Sequence, residues 1–287
     1  MAAVAFGIVA GLLFGALSVS IQYGLRRGSD PEFGGFVTAA VGLVVAAVGA
    51  AAEHGRVRPG ELWAFFAAGF FVPGASQVLF TKAVRHAGPA RSSIVLGSAP
   101  LISVALALAI LDEPFRIELL AGTVLVVAGG VALVGERVRP AEFRLLGLTF
   151  ALTCAVLFAV RDNVVRWAAR EEHPPPLLAA ATSLLAASAG ILLYLVFLRR
   201  RNFRAKLRVA APALAPAGVA LGLAYSCLLE AFDRGRVTVV APLNATQSLW
   251  AVLLAALLFW RTELIGRRVL MAAVLIVAGG VLIGVFR

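Results

Sequence analysis

Val124-Leu125-Val126-Val127-Ala128-Gly129-Gly130-Val131 returns as Val274-Leu275-Ile276-Val277-Ala278-Gly279-Gly280-Val281, with one difference. The separation is 150 residues, and the same separation carries Glu113 onto Glu263 without a gap. Strings of Val, Leu, Ala and Gly recur by chance in apolar helices. A glutamate standing ahead of both copies at the same distance makes the match a repeat. Leu13-Phe14-Gly15 also falls on Leu157-Phe158-Ala159, which places Ser18 on Asp162 and Tyr23 on Trp167. The chain therefore divides into residues 1–138 and 139–287.

Each half contains five apolar runs. A helix needs about 20 mostly apolar residues to cross a bilayer core of roughly 30 Å. Ten stretches qualify: 2–24, 33–52, 62–84, 91–111, 117–135, 145–168, 176–198, 210–232, 237–260 and 267–286. Turn and charge signals such as Gly28-Ser29-Asp30-Pro31, Gly88-Pro89, Asp112-Glu113-Pro114 and Pro174-Pro175-Pro176 separate them. Five is odd, so the second half enters the membrane from the opposite side. The expectation is an all-α integral membrane protein of ten transmembrane helices, arranged as two inverted five-helix repeats. Such repeats are common among secondary transporters, whose substrate sites lie between them near the midplane.

Composition agrees: 61% of residues are hydrophobic, 14% are charged, and mean hydropathy is +0.94, against about 25% charged for a soluble domain. The net charge of +11 does not indicate nucleic acid, because Lys and Arg fall in short groups at the ends of apolar runs instead of on one aromatic-interleaved face. The first run lacks the basic start of a secretory signal, since no Lys or Arg precedes Arg26, and reads as a spanning helix. Cys154 and Cys227 lie inside apolar runs with no metal-ligand spacing and read as packing residues. No zinc-binding H-E-x-x-H helix, P-loop or G-x-S-x-G elbow is present, and His54, His86 and His173 fall in interhelical segments. Neither enzymatic activity nor any cofactor or metal is expected.

The run Ala83-Val84-Arg85-His86-Ala87-Gly88-Pro89-Ala90, then Ser98-Ala99-Pro100-Leu101, Leu111-Asp112-Glu113-Pro114 and Ala128-Gly129-Gly130, resembles one EamA-type repeat. A second copy reads Ala231-Phe232-Asp233-Arg234-Gly235-Arg236, Val240-Ala241-Pro242-Leu243, Glu263 and Ala278-Gly279-Gly280. The resemblance is to the drug/metabolite transporter superfamily and spans essentially the whole chain. At the 150-residue separation it departs at Trp250, which stands where the first copy has Pro100. It implies ten helices and transport of small metabolites (amino acids, nucleosides, sugars or drug-like molecules) by export or exchange, and the lack of a P-loop gives no expectation of an ATP-driven step.

Ionisable groups inside spans cost about 2.5–3.5 kcal/mol each on insertion scales, so those that remain are site candidates or anchors. Arg161 and Asp162 lie about 5–8 Å beyond the centre of the sixth run, at 1.5 Å per residue, and Asn163 follows them. Asp162 is either half of a neutralising pair with Arg161 or a proton or cation site facing a central cavity. Glu230 shares a stripe with Gly222 and Ser226, and is either a site near one mouth or an interfacial anchor. Inversion sets Lys82 and Glu230 near opposite membrane faces, so they should not pair. Gln77 and Thr81 share one face of the third run. Ser92, Ser93 and Ser98 suit interhelical bonds. Asn244, Gln247 and Ser248 recur at helical spacing, followed by Trp250. The expected translocation site is Gln77, Asp162, Asn163, Glu230, Asn244, Gln247 and Trp250.

Expected partners are a small-molecule substrate, protons as a coupling ion, and the bilayer of a cell membrane, plasma or inner, crossed many times by a monomer or homodimer. With ten spans both termini share one side. Of the 26 Lys and Arg residues, 17 fall on the side opposite the termini and 9 on the terminal side. The densest group is Arg199–Arg208, with six basic residues in ten. The positive-inside rule then puts the termini outside, whereas the resemblance implies cytoplasmic termini. Two other readings remain: a lipid or lipid-linked-substrate flippase of the same fold, and a membrane-embedded enzyme. The enzyme would need His, Asp or Ser clustered at one interface.

Overall fold

A computed structural model describes residues 1–53, 59–96, 99–132, 145–199, 202–258 and 267–286. Ser98, Glu263, His54, Arg200 and Arg201 lie outside the described residues. Every regular element among those described is helical: α1 (Ala2–Arg26), α2 (Pro31–Ala50), α3 (Trp63–Gly69), α4 (Ser76–Ala87), α5 (Pro89–Leu96), α6 (Ala99–Ile110), α7 (Ile117–Ala132), α8 (Leu145–Glu172), α9 (Pro176–Leu198), α10 (Phe203–Arg234), α11 (Val237–Asn244), α12 (Gln247–Leu258) and α13 (Arg267–Phe286). Helix is what an apolar solvent demands, because it satisfies the backbone internally.

Seven stretches are long and apolar enough to cross a membrane, and Ala99–Ile110, Ile117–Gly129 and Val274–Ile283 are shorter apolar helices. The outward surface is also apolar: Val48, Phe197 and Leu257 are 69%, 66% and 74% exposed. In water such patches would drive association; in lipid they are solvated. The protein is a multi-pass membrane protein.

Local sequence sets the helix ends. Asp30 caps α2 by accepting the Glu32 amide at 3.0 Å, with Pro31 at the first helical position. Gly88 ends α4 at φ +83°, a conformation a side chain would strain. Pro212 and Pro216 lie within α10 without ending it. Two interruptions matter more. Between α3 and α4 the chain passes through a wide π-helical segment, Phe70–Ala75, where Val72 is extended and Pro73 lacks an N–H. Between α11 and α12, Ala245 and Thr246 form a turn closed by the Thr246 and Ser248 hydroxyls on the carbonyls of Leu243 and Ala245. The ninth apolar run, expected as one helix over 237–260, is thus two half-helices among the described residues.

Packing joins the two halves at every level. α1 packs on α10 and α12, α2 on α9 and α10, α4 on α8, and α7 on α13. Small residues permit the close approaches, as small-residue interfaces do in bilayers. A Cβ on Gly222 would meet the Gly42 carbonyl oxygen, and one on Gly279 the Gly122 carbonyl oxygen. Cys154 is buried against α4, its Sγ 3.4 Å from the Ser76 carbonyl oxygen, as a packing residue should be.

Candidate functional site

The two helix interruptions face each other across the centre. Val72, Pro73 and Gln77 come from the kinked third span, and Asn244 and Gln247 flank the α11–α12 break. Phe158, Arg161 and Asp162 arrive on α8, Tyr225 on α10, and Phe14 and Leu17 on α1. Together they enclose two adjoining cavities that share Leu96, Phe158, Arg161 and Gln247. One wall is aromatic and aliphatic, the other polar, with Asp162 and Asn244. Each cavity holds about 10 Å³, room for roughly one water molecule, so the centre is closed.

Arg161 and Asp162 are 3% and 4% exposed. Neighbours in sequence diverge around a helix, yet the long guanidinium folds back, and its Nε donates to Asp162 Oδ1 at 2.8 Å. Ser103 Oγ on α6 donates to the other oxygen at 3.1 Å. The Arg161 guanidinium lies 5.2 Å from the Phe158 ring and 5.3 Å from the Tyr225 ring, within cation–π range. Tyr225 in turn donates its hydroxyl to the Val72 carbonyl at 2.9 Å, satisfying an acceptor at the kink. The pair is therefore internally neutral and held from both halves. Removing one partner of such a buried pair costs about 3–5 kcal/mol.

Gln77 Nε2 and Asn244 Oδ1 are buried without a hydrogen-bond partner among the described residues. Both border the cavities. A buried donor and acceptor without protein partners cost about 1–3 kcal/mol each, an expense that a polar ligand can offset. The arrangement offers cation, carboxylate, amide donor and amide acceptor around one small space. Among the described residues no group of His, Cys, Asp or Glu could hold a metal ion.

The structure brings Gln77, Asp162, Asn244 and Gln247 together at this centre. It does not bring Glu230, Trp250 or Asn163 there. Glu230 pairs with Arg234 one turn on at 2.6 Å, near the end of α10, and Lys82 pairs with Glu32 at 2.7 Å on the opposite side. Trp250 packs on α1, where a Cβ at Gly15 would collide with it. Asn163 turns from the cavity and donates to the Ser103 and Ala159 carbonyls at 3.1 and 2.9 Å. Sequence reasoning missed Tyr225, Ser103 and the Phe14, Phe80 and Phe158 walls. For Tyr225 a signal existed: of three tyrosines it alone lies far from the ends of its apolar run.

Fold and cavity define a polytopic helical membrane protein with a closed polar centre. The chain belongs to the EamA-like transporter family: the family model matches residues 1–135 and, separately, 145–285. That membership makes it a membrane transporter of the drug/metabolite type and points away from catalysis. Among 29 matching chains of solved structures, one crystal structure superposes with a TM-score of 0.75 at 23% identity, covering 98% of this chain and 95% of the other. At that identity the likeness concerns the fold. No match was found among curated proteins.

Proposed function

We propose that the protein is a secondary transporter of the cell membrane that moves a small polar or amphipathic metabolite by alternating access, as an exporter or exchanger. The observation that carries the reading is the closed cavity contributed by both halves, with Gln77 and Leu96 from 1–138 facing Arg161, Asp162, Tyr225, Asn244 and Gln247 from 139–287.

The halves are taken as inverted repeats. If each helix of the first half corresponds to the helix five spans later, helix contacts should occur in exchanged pairs. They do: the α1–α10 contact corresponds to α4–α8, α1–α12 to α5–α8 and α6–α8, and α2–α10 to α3–α9. Contacts α2–α9 and α7–α13 map onto themselves. Interrupted helices at the centre suit this class, since their free ends supply backbone polar groups to a substrate. Rocking of the halves would open the cavity alternately to each side. Asp162 is the carboxylate through which a proton would couple, its protonation releasing Arg161 from the pair.

The test is uptake into proteoliposomes, screened across metabolite classes with and without a pH gradient. Asp162→Asn is expected to abolish gradient-driven uptake and retain exchange. Because that variant leaves Arg161 unpaired, Arg161→Gln/Asp162→Asn supplies a neutral control that folds without the buried charge. Gradient-driven uptake by the neutral double variant at the wild-type rate would overturn proton coupling here. No uptake or exchange of any metabolite class by the wild-type protein would overturn the transport reading.

A further inference from the structure

A large open space lies far from the centre. A vestibule of about 770 Å³ opens on the side opposite the termini, between the C-terminal end of α1, the turn after it and the start of α10. Arg26, Arg85 and Lys206 line it against the single carboxylate of Asp30. Lys206 already neutralises that carboxylate at 2.8 Å, so the lining keeps a positive excess. Arg85 is exposed and has no ion pair among the described residues.

Two further features point to an anion. The start of α10 faces the space through Asn202, Ala205 and Lys206, and no side chain caps it. The N-terminal amides of a helix carry partial positive charge and favour anions. Ser29, only 3% exposed, lines the same space, and its hydroxyl has no partner among the described residues. A phosphate oxygen is an acceptor of the kind that hydroxyl lacks.

The walls also say where the anion comes from. Leu25, Ala205 and Val209 form apolar flanks beside the cations. Phe203 packs edge-on against Phe33 at 5.3 Å, and Arg27 lies 4.6 Å over the Tyr23 ring, which sets the region at the boundary of the apolar run. Exposed Arg204 and Arg208 lie outside the lining of the vestibule. A free phosphate would use only the cations; a molecule with a phosphate head and an apolar tail uses both walls.

We infer that this vestibule binds a phosphate-bearing anion, and that in the bilayer its occupant is the headgroup of an anionic phospholipid. The site is separate from the central cavity, so its test reads binding and not transport.

The full-length protein is placed in phosphatidylcholine nanodiscs with and without phosphatidylglycerol, and retained lipid is read by native mass spectrometry. Melting is followed in the same samples. Phosphatidylglycerol is expected to bind and raise the Tm. Arg85→Ala is expected to weaken that binding about fivefold, the share of one basic residue near a membrane surface. Arg204→Ala/Arg208→Ala, altering exposed residues that do not line the vestibule, should weaken it less than Arg85→Ala does. Arg85 makes no ion pair that holds the fold, so its variant reports the site. Ser29→Ala should also weaken binding. Adding glycerol phosphate to the phosphatidylcholine sample gives the other arm. Protection there that Arg85→Ala removes supports a phosphate site filled from solution and overturns the lipid source. If phosphatidylglycerol and glycerol phosphate both fail to bind, or if Arg85→Ala and the exposed pair lose equal affinity, the site itself is overturned.

Discussion

The two ends of the bundle are tied by different chemistry. At the terminal end, the ties between one helix and another run from side chain to backbone. Glu113 accepts the amides of Val237 and Thr238 at 2.9 and 3.0 Å, fixing the start of α11, and Glu53 accepts those of Leu177 and Leu178 at 3.3 and 3.1 Å at the start of α9. Arg166 donates to the Phe232 and Asp233 carbonyls at 2.6 and 3.0 Å, completing the end of α10. At the opposite end, the ties between helices run from side chain to side chain. Glu32 collects Lys82 at 2.7 Å, Tyr194 at 3.0 Å and Arg199 at 2.8 Å, while Asp30 takes Lys206. Arg199 there is 53% exposed at its side chain, so its pair is open to solvent and salt. The end held by side-chain pairs gives way more easily. Backbone amides at a helix start have few alternative partners, whereas exposed cations exchange one carboxylate for water or lipid at little cost. The end with exchangeable ties also carries the vestibule.

The largest effect is expected from Glu113→Ala. It leaves two buried amides without an acceptor, and hydrogen bonds to a charged group contribute about 1.5–3 kcal/mol each. A loss of about 3 kcal/mol should appear as a lower melting temperature in detergent, insensitive to added salt. Glu113→Gln keeps one acceptor oxygen and should recover about half. Equal melting of the alanine variant and wild type would show that α11 needs no anchor at its start.

Glu32→Gln comes next. Glu32 is 6% exposed, but its cations reach it from the surface. The substitution keeps an acceptor for Tyr194 and removes the charge, so about 1 kcal/mol is expected. That difference should shrink in high salt, where the wild-type pairs are screened and the variant has nothing to screen. A salt-independent loss larger than that of Glu113→Ala would reverse the ranking of the two ends.

Much of this contrast was hidden in the sequence for a physical reason. Apolar runs and turn signals were enough for the helices, because span length follows from bilayer thickness. Glu113 was visible only as a marker of the repeat; its partners Val237 and Thr238 lie more than a hundred residues away, and nothing local announces a capping bond made across the fold. The α11–α12 break was concealed by spacing, since Asn244, Gln247 and Ser248 keep helical intervals on either side of a turn. Within the centre, Asp162, Gln77, Asn244 and Gln247 were legible as costly polar groups in apolar runs. The aromatic wall was not, because Phe158 and Phe14 look like any lipid-facing side chain until the helices are packed.

The smallest expected effect is at Asp30, and it has a definite sign. Burial alone would raise its carboxyl pKa, but the hydrogen bond from Lys206 and the amides of Glu32 and Phe33 outweigh it and hold the group below its ordinary value of 3.8. A carboxyl with a depressed folded pKa stabilises the fold while ionised, so the contribution is whole above about pH 4 and fades as the pH falls through the folded value. Asp30→Asn keeps the cap on α2 through its side-chain oxygen and loses only the charge. In detergent its melting temperature should lie slightly below wild type at pH 7, and the two should converge as the pH falls through the folded value. Because the partner ammonium is 39% exposed, salt at pH 7 should narrow the same gap. A gap that persists into strong acid would mean that Asp30 acts through packing at the start of α2. The ion pair to α10 would then be one more exposed contact at the exchangeable end, contributing nothing to its stability.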